Sequence, residues 1–230
     1  MSDWQTDIST YRDGERHTIR GQALDDLIRD RSFVDVIFLL VRGDLPNEAE
    51  TKMLEAMLVA MCEHGPDSPS TAVTMTVTST GNKLNAALAS GLLTMGSRHG
   101  GAVTAAMEMF TQDRSASEIV QRATAEKRRL PGLGHKVYKE EDPRTKALFE
   151  KAEELGLSGE FVRRAREIET ALKEEKGRLF PLNIDGSVAA LLLELKIPIS
   201  AGNAMFMLGR MPGLIAHAIE EQSRRTYRRK

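Results

Sequence analysis

The chain has 230 residues, 41% hydrophobic and 28% charged, with a formal net charge of −1 and one cysteine, Cys62. That length supports one large domain, or a domain plus a small lobe, around a substantial core. The balanced charge gives no general reason to bind nucleic acid or an anionic membrane.

A single thiol excludes an internal disulfide and a thiolate cluster for a structural metal, and it suits a reducing compartment. Residues Met1 to Asp7 show no basic segment leading into an apolar run, and nowhere do about eighteen apolar residues follow one another without interruption, so a cytoplasmic location is expected. Arg224, Arg225, Arg228, Arg229 and Lys230 make the end of the chain basic, which suits either a solvated terminus or a local binding feature.

Residues 8–20 mix Thr, Tyr, Arg and Gly without a helical stripe and read as irregular or extended, closed by Gly21. Two short amphipathic helices are predicted over 22–30 and 32–41, marked by Leu24, Leu27 and Ile28 and by Phe33, Val36, Ile37 and Leu40, with Gly43 as a stop. From Glu48 to Met61 the residues Met53, Leu54, Met57, Leu58 and Met61 follow the helical period opposite Glu48, Glu50, Lys52 and Glu55. These methionines suit core packing better than a cofactor site. A polar loop follows with His64, and it ends in Ser70, a good N-cap.

Residues 71–80 are rich in Thr and Val, and propensity alone makes them a strand. Residues 82–110 carry helical patterning interrupted at Gly96–Gly101, where His99 stands between Arg98 and a glycine pair. That histidine suits either a helix-junction cap or a site. Helices are further predicted over 115–129, 143–155, 159–175 and 200–219, the last containing Gly209-Arg210-Met211-Pro212-Gly213. No convincing sheet follows residue 20, and the fold class is all-α.

Chemistry concentrates in Pro131-Gly132-Leu133-Gly134-His135-Lys136-Val137-Tyr138, running on to Lys139 and Asp142-Pro143-Arg144. Glycines let a backbone approach a ligand closely with its N–H groups free as donors. His135 is a candidate proton carrier, Lys136 and Lys139 are candidate phosphate partners, and Arg144 can grip a carboxylate with two parallel hydrogen bonds. A helix-ending Gly/Pro loop with a surface histidine is the plainer alternative. Asp185, between Phe180-Pro181-Leu182-Asn183-Ile184 and the apolar run Val188–Leu193, suits an N-cap or a base whose pKa is raised at the edge of a core. Gly132-Leu133-Gly134 lacks the third glycine of a dinucleotide fingerprint, and neither a Gly-Lys-Ser/Thr phosphate loop nor His-Glu-x-x-His occurs, so NAD, ATP and zinc are not indicated.

Taken together, these motifs resemble the citrate synthase family. The Gly-Leu-Gly-His-Lys-Val-Tyr-Lys-x-x-Asp-Pro-Arg stretch is similar to its histidine loop, Asn183-Ile184-Asp185 to its Asn-Val-Asp motif, Arg98-His99-Gly100-Gly101-Ala102 to its first histidine motif, and Gly209-Arg210 through Ile215-Ala216-His217 to its late arginine helix. Ile19-Arg20-Gly21, Leu24–Ile28 and Leu45-Pro46 match the family's start, so the likeness runs from about residue 19 to 228. Cys62-Glu63-His64-Gly65-Pro66, Ser90–Gly96 and Asn183–Gly186 look most like the citryl-CoA lyase module of ATP citrate lyase, which also occurs free-standing.

The resemblance implies a single citrate synthase-like helical domain over 1–230, in a compact version lacking much of the family's N-terminal part, with 71–80 becoming a buried helix. It implies an obligate homodimer, or a larger assembly, whose active site is built from both subunits. The implied activity is cleavage of citryl-CoA to acetyl-CoA and oxaloacetate. Condensation of the same products, or a non-catalytic helical subunit, are the alternatives.

In the implied mechanism His135 meets the hydroxyl, His99 donates to the thioester oxygen as a neutral ring whose pKa Arg98 lowers, and Asp185 delivers the proton to carbon. Substrate carboxylates fall to His64, Arg144, Arg210 and an arginine reaching from the other subunit, Arg228 after Tyr227, with Arg225 as the alternative. The backbone of Gly132, Leu133 and Gly134 would cradle adenine, with Lys136, in place of a common arginine, and Lys139 near phosphates. Coenzyme A enters as a thioester substrate and no tightly bound cofactor is implied; a citrate-activating partner protein is an implied associate. The animal ATP citrate lyase module carries an aromatic residue where this chain has His99, and the histidine is the citrate synthase pattern.

Overall fold

A computed structural model describes residues 6–11, 14–97 and 99–224. Arg98, Arg225, Tyr227 and Arg228 therefore lie outside the described residues. The chain starts with a small antiparallel sheet in the order β1 (Ser9–Thr10), β2 (Thr18–Ile19), β3 (Gln22–Ala23), with Ser9 opposite Ile19 and Thr18 opposite Ala23. The extended reading of 8–20 holds, but pairing continues past residue 20, because the turn at Arg20–Gly21 returns β3 onto β2.

The longer elements described after it are helices: α1 (Leu24–Asp30), α2 (Phe33–Val41), α3 (Glu48–Met61), α4 (Pro69–Ser79), α5 (Leu84–Leu93), α6 (Ala102–Phe110), α7 (Ala116–Ala125), α8 (Pro143–Glu154), α9 (Glu160–Lys176), α10 (Ile184–Glu194) and α11 (Gly202–Arg224). Local chemistry sets several starts. Ser32, Asn47 and Ser115 each accept the backbone N–H three residues on, while Asp35, Glu50 and Glu118 accept the cap's own N–H. These reciprocal pairs satisfy donors that a helix terminus leaves open.

The core forms around α10, in which Ile184 and every residue from Gly186 to Leu193 are buried. A helix apolar on all sides must be surrounded; α10 packs against α3, α6, α8 and α9, while α11 runs along α3, α4, α5 and α6. The predicted methionine face of α3 is core: Met53, Met57 and Met61 are fully buried.

Residues 71–79 are helical, as the family resemblance implied and against their β propensity, and Thr80 is the C-cap. Pro69 opens α4 at a position that needs no N–H donor, and Thr76 and Thr78 donate their hydroxyls to the carbonyls of Ala72 and Thr74 four residues back. Packing decides the rest, since Ser70, Thr71 and Thr74 are fully buried. The predicted cap shifts by two residues, with Ser68 at the N-cap and Ser70 inside the helix.

Gly91 lets α5 lie on α4: a Cβ there would stand 2.1 Å from Thr74 Oγ1 and 3.0 Å from Ser70 O. Alanine would gain about 1 kcal/mol of helix propensity but overpack the contact by about 1–3 kcal/mol. Gly91→Ala is expected to lower stability by about 1 kcal/mol in urea unfolding; a midpoint raised above wild type would show that the two helices separate freely.

Candidate active site

Six residues scattered over the sequence reach one place. His64 follows α3, His99 lies in the turn before α6, His135 sits in the long connection from α7 to α8, Arg144 is in the first turn of α8, Asp185 is in the first turn of α10, and Arg210 is on α11. All six line a cavity of about 170 Å³, together with Asn183 and Phe206.

Backbone contacts bring the His135 loop to Asp185. Leu133 bridges Leu182, Gly134 N–H donates to Pro181 O at 2.7 Å, Asn183 N–H donates to Gly132 O at 3.0 Å, and Asn183 Nδ2 donates to Gly134 O at 2.8 Å. Gly132, at φ +78°, rests on Gly186, with a Cβ on either one meeting the other's backbone at 2.6 or 2.4 Å. The expectation of free N–H donors in this loop is thus corrected at Gly134, whose N–H is used to zip the loop to 181–183. Gly132 serves the same closure.

Asn183 is the N-cap of α10, its Oδ1 accepting from the N–H of Asp185 and Gly186 at 3.0 and 3.2 Å. That removes the capping reading of Asp185. Its Oδ1 is buried without a hydrogen-bond partner among the described residues. Burial raises its pKa to about 6, against the opposing charges of Arg144 and Arg210.

The two flanking histidines are held as opposite tautomers. Ser70 N–H lies 3.3 Å from His99 Nε2, with Ser70 Oγ 2.9 Å from the same nitrogen. A backbone N–H can only donate, so Nε2 accepts and the neutral ring carries its proton on Nδ1. His135 is the converse: Nδ1 accepts from the N–H groups of Val137 and Tyr138 at 3.1 and 3.0 Å, which leaves the proton on Nε2. Tyr138 stacks on the ring at 4.7 Å.

Burial lowers the pKa of both rings. Arg210 adds to this at His99, while at His135 Arg144 and Lys139 act against Asp142. Desolvation and Arg210 thus favour a neutral His99 ring, while the Arg98 expected to contribute lies outside the described residues.

Arg144 is only partly available as a carboxylate grip. Its Nε and Nη2 bind Asp142, the buried N-cap of α8, at 3.0 and 2.7 Å. Its outer edge faces His64 Nδ1 and His135 Nε2, each at 3.4 Å. Burial lowers the pKa of His64 too, with Arg144 and Arg210 reinforcing it. Arg210 is 2% exposed, donates from Nε to Met61 O at 2.7 Å and leaves Nη1 buried without a partner among the described residues. An open guanidinium nitrogen beside the outer edge of Arg144 favours an anionic ligand here.

His135 also lines a second cavity of about 740 Å³, which holds Leu133, Gly134, Lys136 and Lys139 but not Gly132. Lys139 Nζ donates to the carbonyls of His135 and Lys136 at 3.1 and 2.8 Å. Arg128 and Arg129 after α7, and Lys176 and Arg178 at the end of α9, join that lining. Sequence alone does not single out these four cations; the signal available is a pair of basic residues at or just past the end of each of two helices. Arg178 lies over the Phe180 ring at 4.6 Å. Among the described residues, no group of three or more His, Cys, Asp or Glu side chains is placed to hold a metal, and no helix is long and apolar enough to cross a membrane.

Residues 47–230 match the family model described as citrate synthase, C-terminal domain. Over its full length the chain is similar to the citryl-CoA lyase from Hydrogenobacter thermophilus, with 38% identity, 92% of that chain covered and a TM-score of 0.94. It is also similar to the ATP citrate lyase from Methanothrix soehngenii, solved with citrate and coenzyme A, with 26% identity over the whole of this chain and 40% of that one, at a TM-score of 0.87. ATP-citrate synthase subunit 1 of Sordaria macrospora is 31% identical over 95% of this chain, which spans only 36% of that relative's length. From the family match and the shared, predominantly helical architecture, this chain belongs to the citrate synthase family.

Proposed function

We propose that the protein cleaves citryl-CoA to acetyl-CoA and oxaloacetate. The observation that carries this is Asp185: a buried carboxyl with an unpartnered oxygen and a pKa near 6, sharing one small cavity with two oppositely oriented neutral histidines and two arginines. The full-length likeness to a citryl-CoA lyase supports the choice within the family.

In the proposed reaction the carbinol oxygen of the citryl group lies between His135 Nε2–H and the outer edge of Arg144, where its alkoxide is stabilised. Its electron pair forms the carbonyl of oxaloacetate as the carbon–carbon bond breaks. The bond electrons pass into a thioester enolate, whose oxygen accepts from His99 Nδ1–H, and Asp185 as the acid protonates the carbon to give the methyl of acetyl-CoA. The hydroxyl proton departs to solvent and balances the one Asp185 delivers. A positioned acid contributes roughly 10²–10⁴ in rate and a donor at the enolate oxygen about 10²–10³.

Coenzyme A fits the larger cavity, with Arg128, Arg129, Lys136, Lys176 and Arg178 available to its phosphates and the thioester end entering past His135, which both cavities share. His64, Arg144 and Arg210 are the proposed carboxylate partners.

Condensation is the same path reversed, with ionised Asp185 as base, and the retained His99 donor supports it as the second reading. The two directions need opposite protonation of one group. The kcat/KM for cleavage is expected to fall as pH rises through about 6, as read by oxaloacetate release; a profile flat across that range would remove Asp185 from the proton transfer.

Asp185→Asn is expected to lower turnover by roughly 10³ or more while the protein stays folded. A raised folded-state pKa gives stability that is present below pH 3.8 and lost as pH rises through about 6, a change on the order of 3 kcal/mol. Thermal melts should thus show the variant gaining on wild type between about pH 4 and about pH 8.

The functional unit in this proposal is a homodimer, with Arg228 of one copy completing the carboxylate site of the other. Arg228→Ala is expected to raise KM for the carboxylate substrate about tenfold with the dimer intact by sedimentation; an unchanged KM would exclude that arginine.

A further inference from the structure

Successive turns of α11 grip successive residues of the segment that leads into His64. A Cβ on Gly209 would stand 2.9 Å from Met61 Cβ, and Arg210 Nε donates to Met61 O at 2.7 Å. One turn on, a Cβ on Gly213 would come 2.3 Å from Cys62 O. Another turn on, His217 Nε2 lies 2.7 Å from Glu63 Oε1. The other carboxylate oxygen of Glu63 accepts from Gly65 N–H at 2.6 Å.

His64 is therefore bracketed: the residue before it is pinned to α11, and the residue after it is tied back to that same carboxylate. The side chain of His217 is 18% exposed, so solvent screens the pair only in part. Burial alone would raise the Glu63 pKa, but the Gly65 N–H and His217 bring it below the ordinary carboxylate value, which keeps it a full acceptor.

We infer that Glu63 and His217 are positioning residues that set where His64 stands against Arg144 at the carboxylate end of the cavity. They act through His64 and touch no substrate themselves. The groups next to them fit this role. Glu63 exerts the largest opposite-charge effect on Arg210 and acts against both arginines at His64, so it stands behind the cluster of His64, Arg144 and Arg210. A displaced Glu63 would loosen the His64 end of that cluster, while Arg210 stays held by Met61 O. Since the substrate named here is the one in the proposed function, the inference rests on that reading.

The test compares His217→Ala, Glu63→Ala, the double variant and His217→Gln, whose amide N–H can still donate to Glu63. Each alanine variant is expected to raise KM for oxaloacetate in the condensing assay about tenfold, with kcat within about threefold and KM for acetyl-CoA unmoved. The double variant should be no worse than the worse single, because both act through one contact, and His217→Gln should recover most of the loss.

In parallel, the His64 ring resonances, assigned with His64→Gln, are expected to shift in His217→Ala and return toward wild type in His217→Gln. An unmoved His64 signal in His217→Ala overturns the inference, as does an unchanged KM or a double variant whose losses multiply. If the wild-type protein turns over neither citryl-CoA nor acetyl-CoA with oxaloacetate, the citryl-CoA reading fails, and the ring resonances alone decide the positioning.

Discussion

Removing the Asp185 carboxyl from water is the constraint on which the rest of the site depends. The first turn of a helix is a favourable place for a carboxylate, worth typically 0.3–1 kcal/mol through the helix dipole, and Arg144 and Arg210 pull in the same direction. Desolvation still wins, and the pKa rises to about 6. It can win only because α10 is enclosed by other helices and because Asn183 supplies the cap. If Asp185 had to satisfy the helix N-terminus itself, its oxygens would be occupied by backbone N–H groups and its charge stabilised. The division of labour between Asn183 and Asp185 leaves the Asp185 carboxyl uncompensated, with its pKa raised.

The surrounding donors follow from a similar economy. Neither histidine depends on a second titrating side chain to choose its tautomer: backbone N–H groups do so, from Ser70 for one ring and from Val137 and Tyr138 for the other. Backbone donors do not change charge with pH, so each ring presents the same face to the cavity wherever it is neutral. The neutral form is favoured because both rings are partly buried near arginines. Arg144 is fixed by the buried Asp142, so its outer edge is presented in one orientation.

Helix positions and core faces were largely legible from periodicity, since the Met53–Met61 stripe and the apolar run from Val188 to Leu193 have no other stable destination. Residues 71–80 were not: Thr and Val favour strands on average, and only their hydroxyl bonds to the preceding turn and the contact through Gly91 make a helix. The convergence of His64, His99, His135, Arg144, Asp185 and Arg210 was readable by motif resemblance, because spacing along the chain carries no information about contacts between helices that meet from distant parts of it. Arg128, Arg129, Lys176 and Arg178 escaped notice for that reason. Each looks like an ordinary charged residue at a helix end until α7 and α9 are seen to finish beside the same cavity. The shared role of Glu63 and His217 was equally hidden, being set by the register of α11 against α3.

The back-to-back contact of Gly132 and Gly186 has a consequence for tolerance to change. On one side of it lies the loop that carries His135, on the other the helix turn that carries Asp185, and nothing thicker than main chain separates them. The approach of the loop to the helix turn is therefore set by the polypeptide backbone, and no side-chain rotation can relieve a substituent placed there. Elsewhere in the cavity a side chain can be exchanged and its neighbours can adjust. At this seam a single methyl group would act as a wedge, pushing the loop that carries His135 away from the first turn of α10.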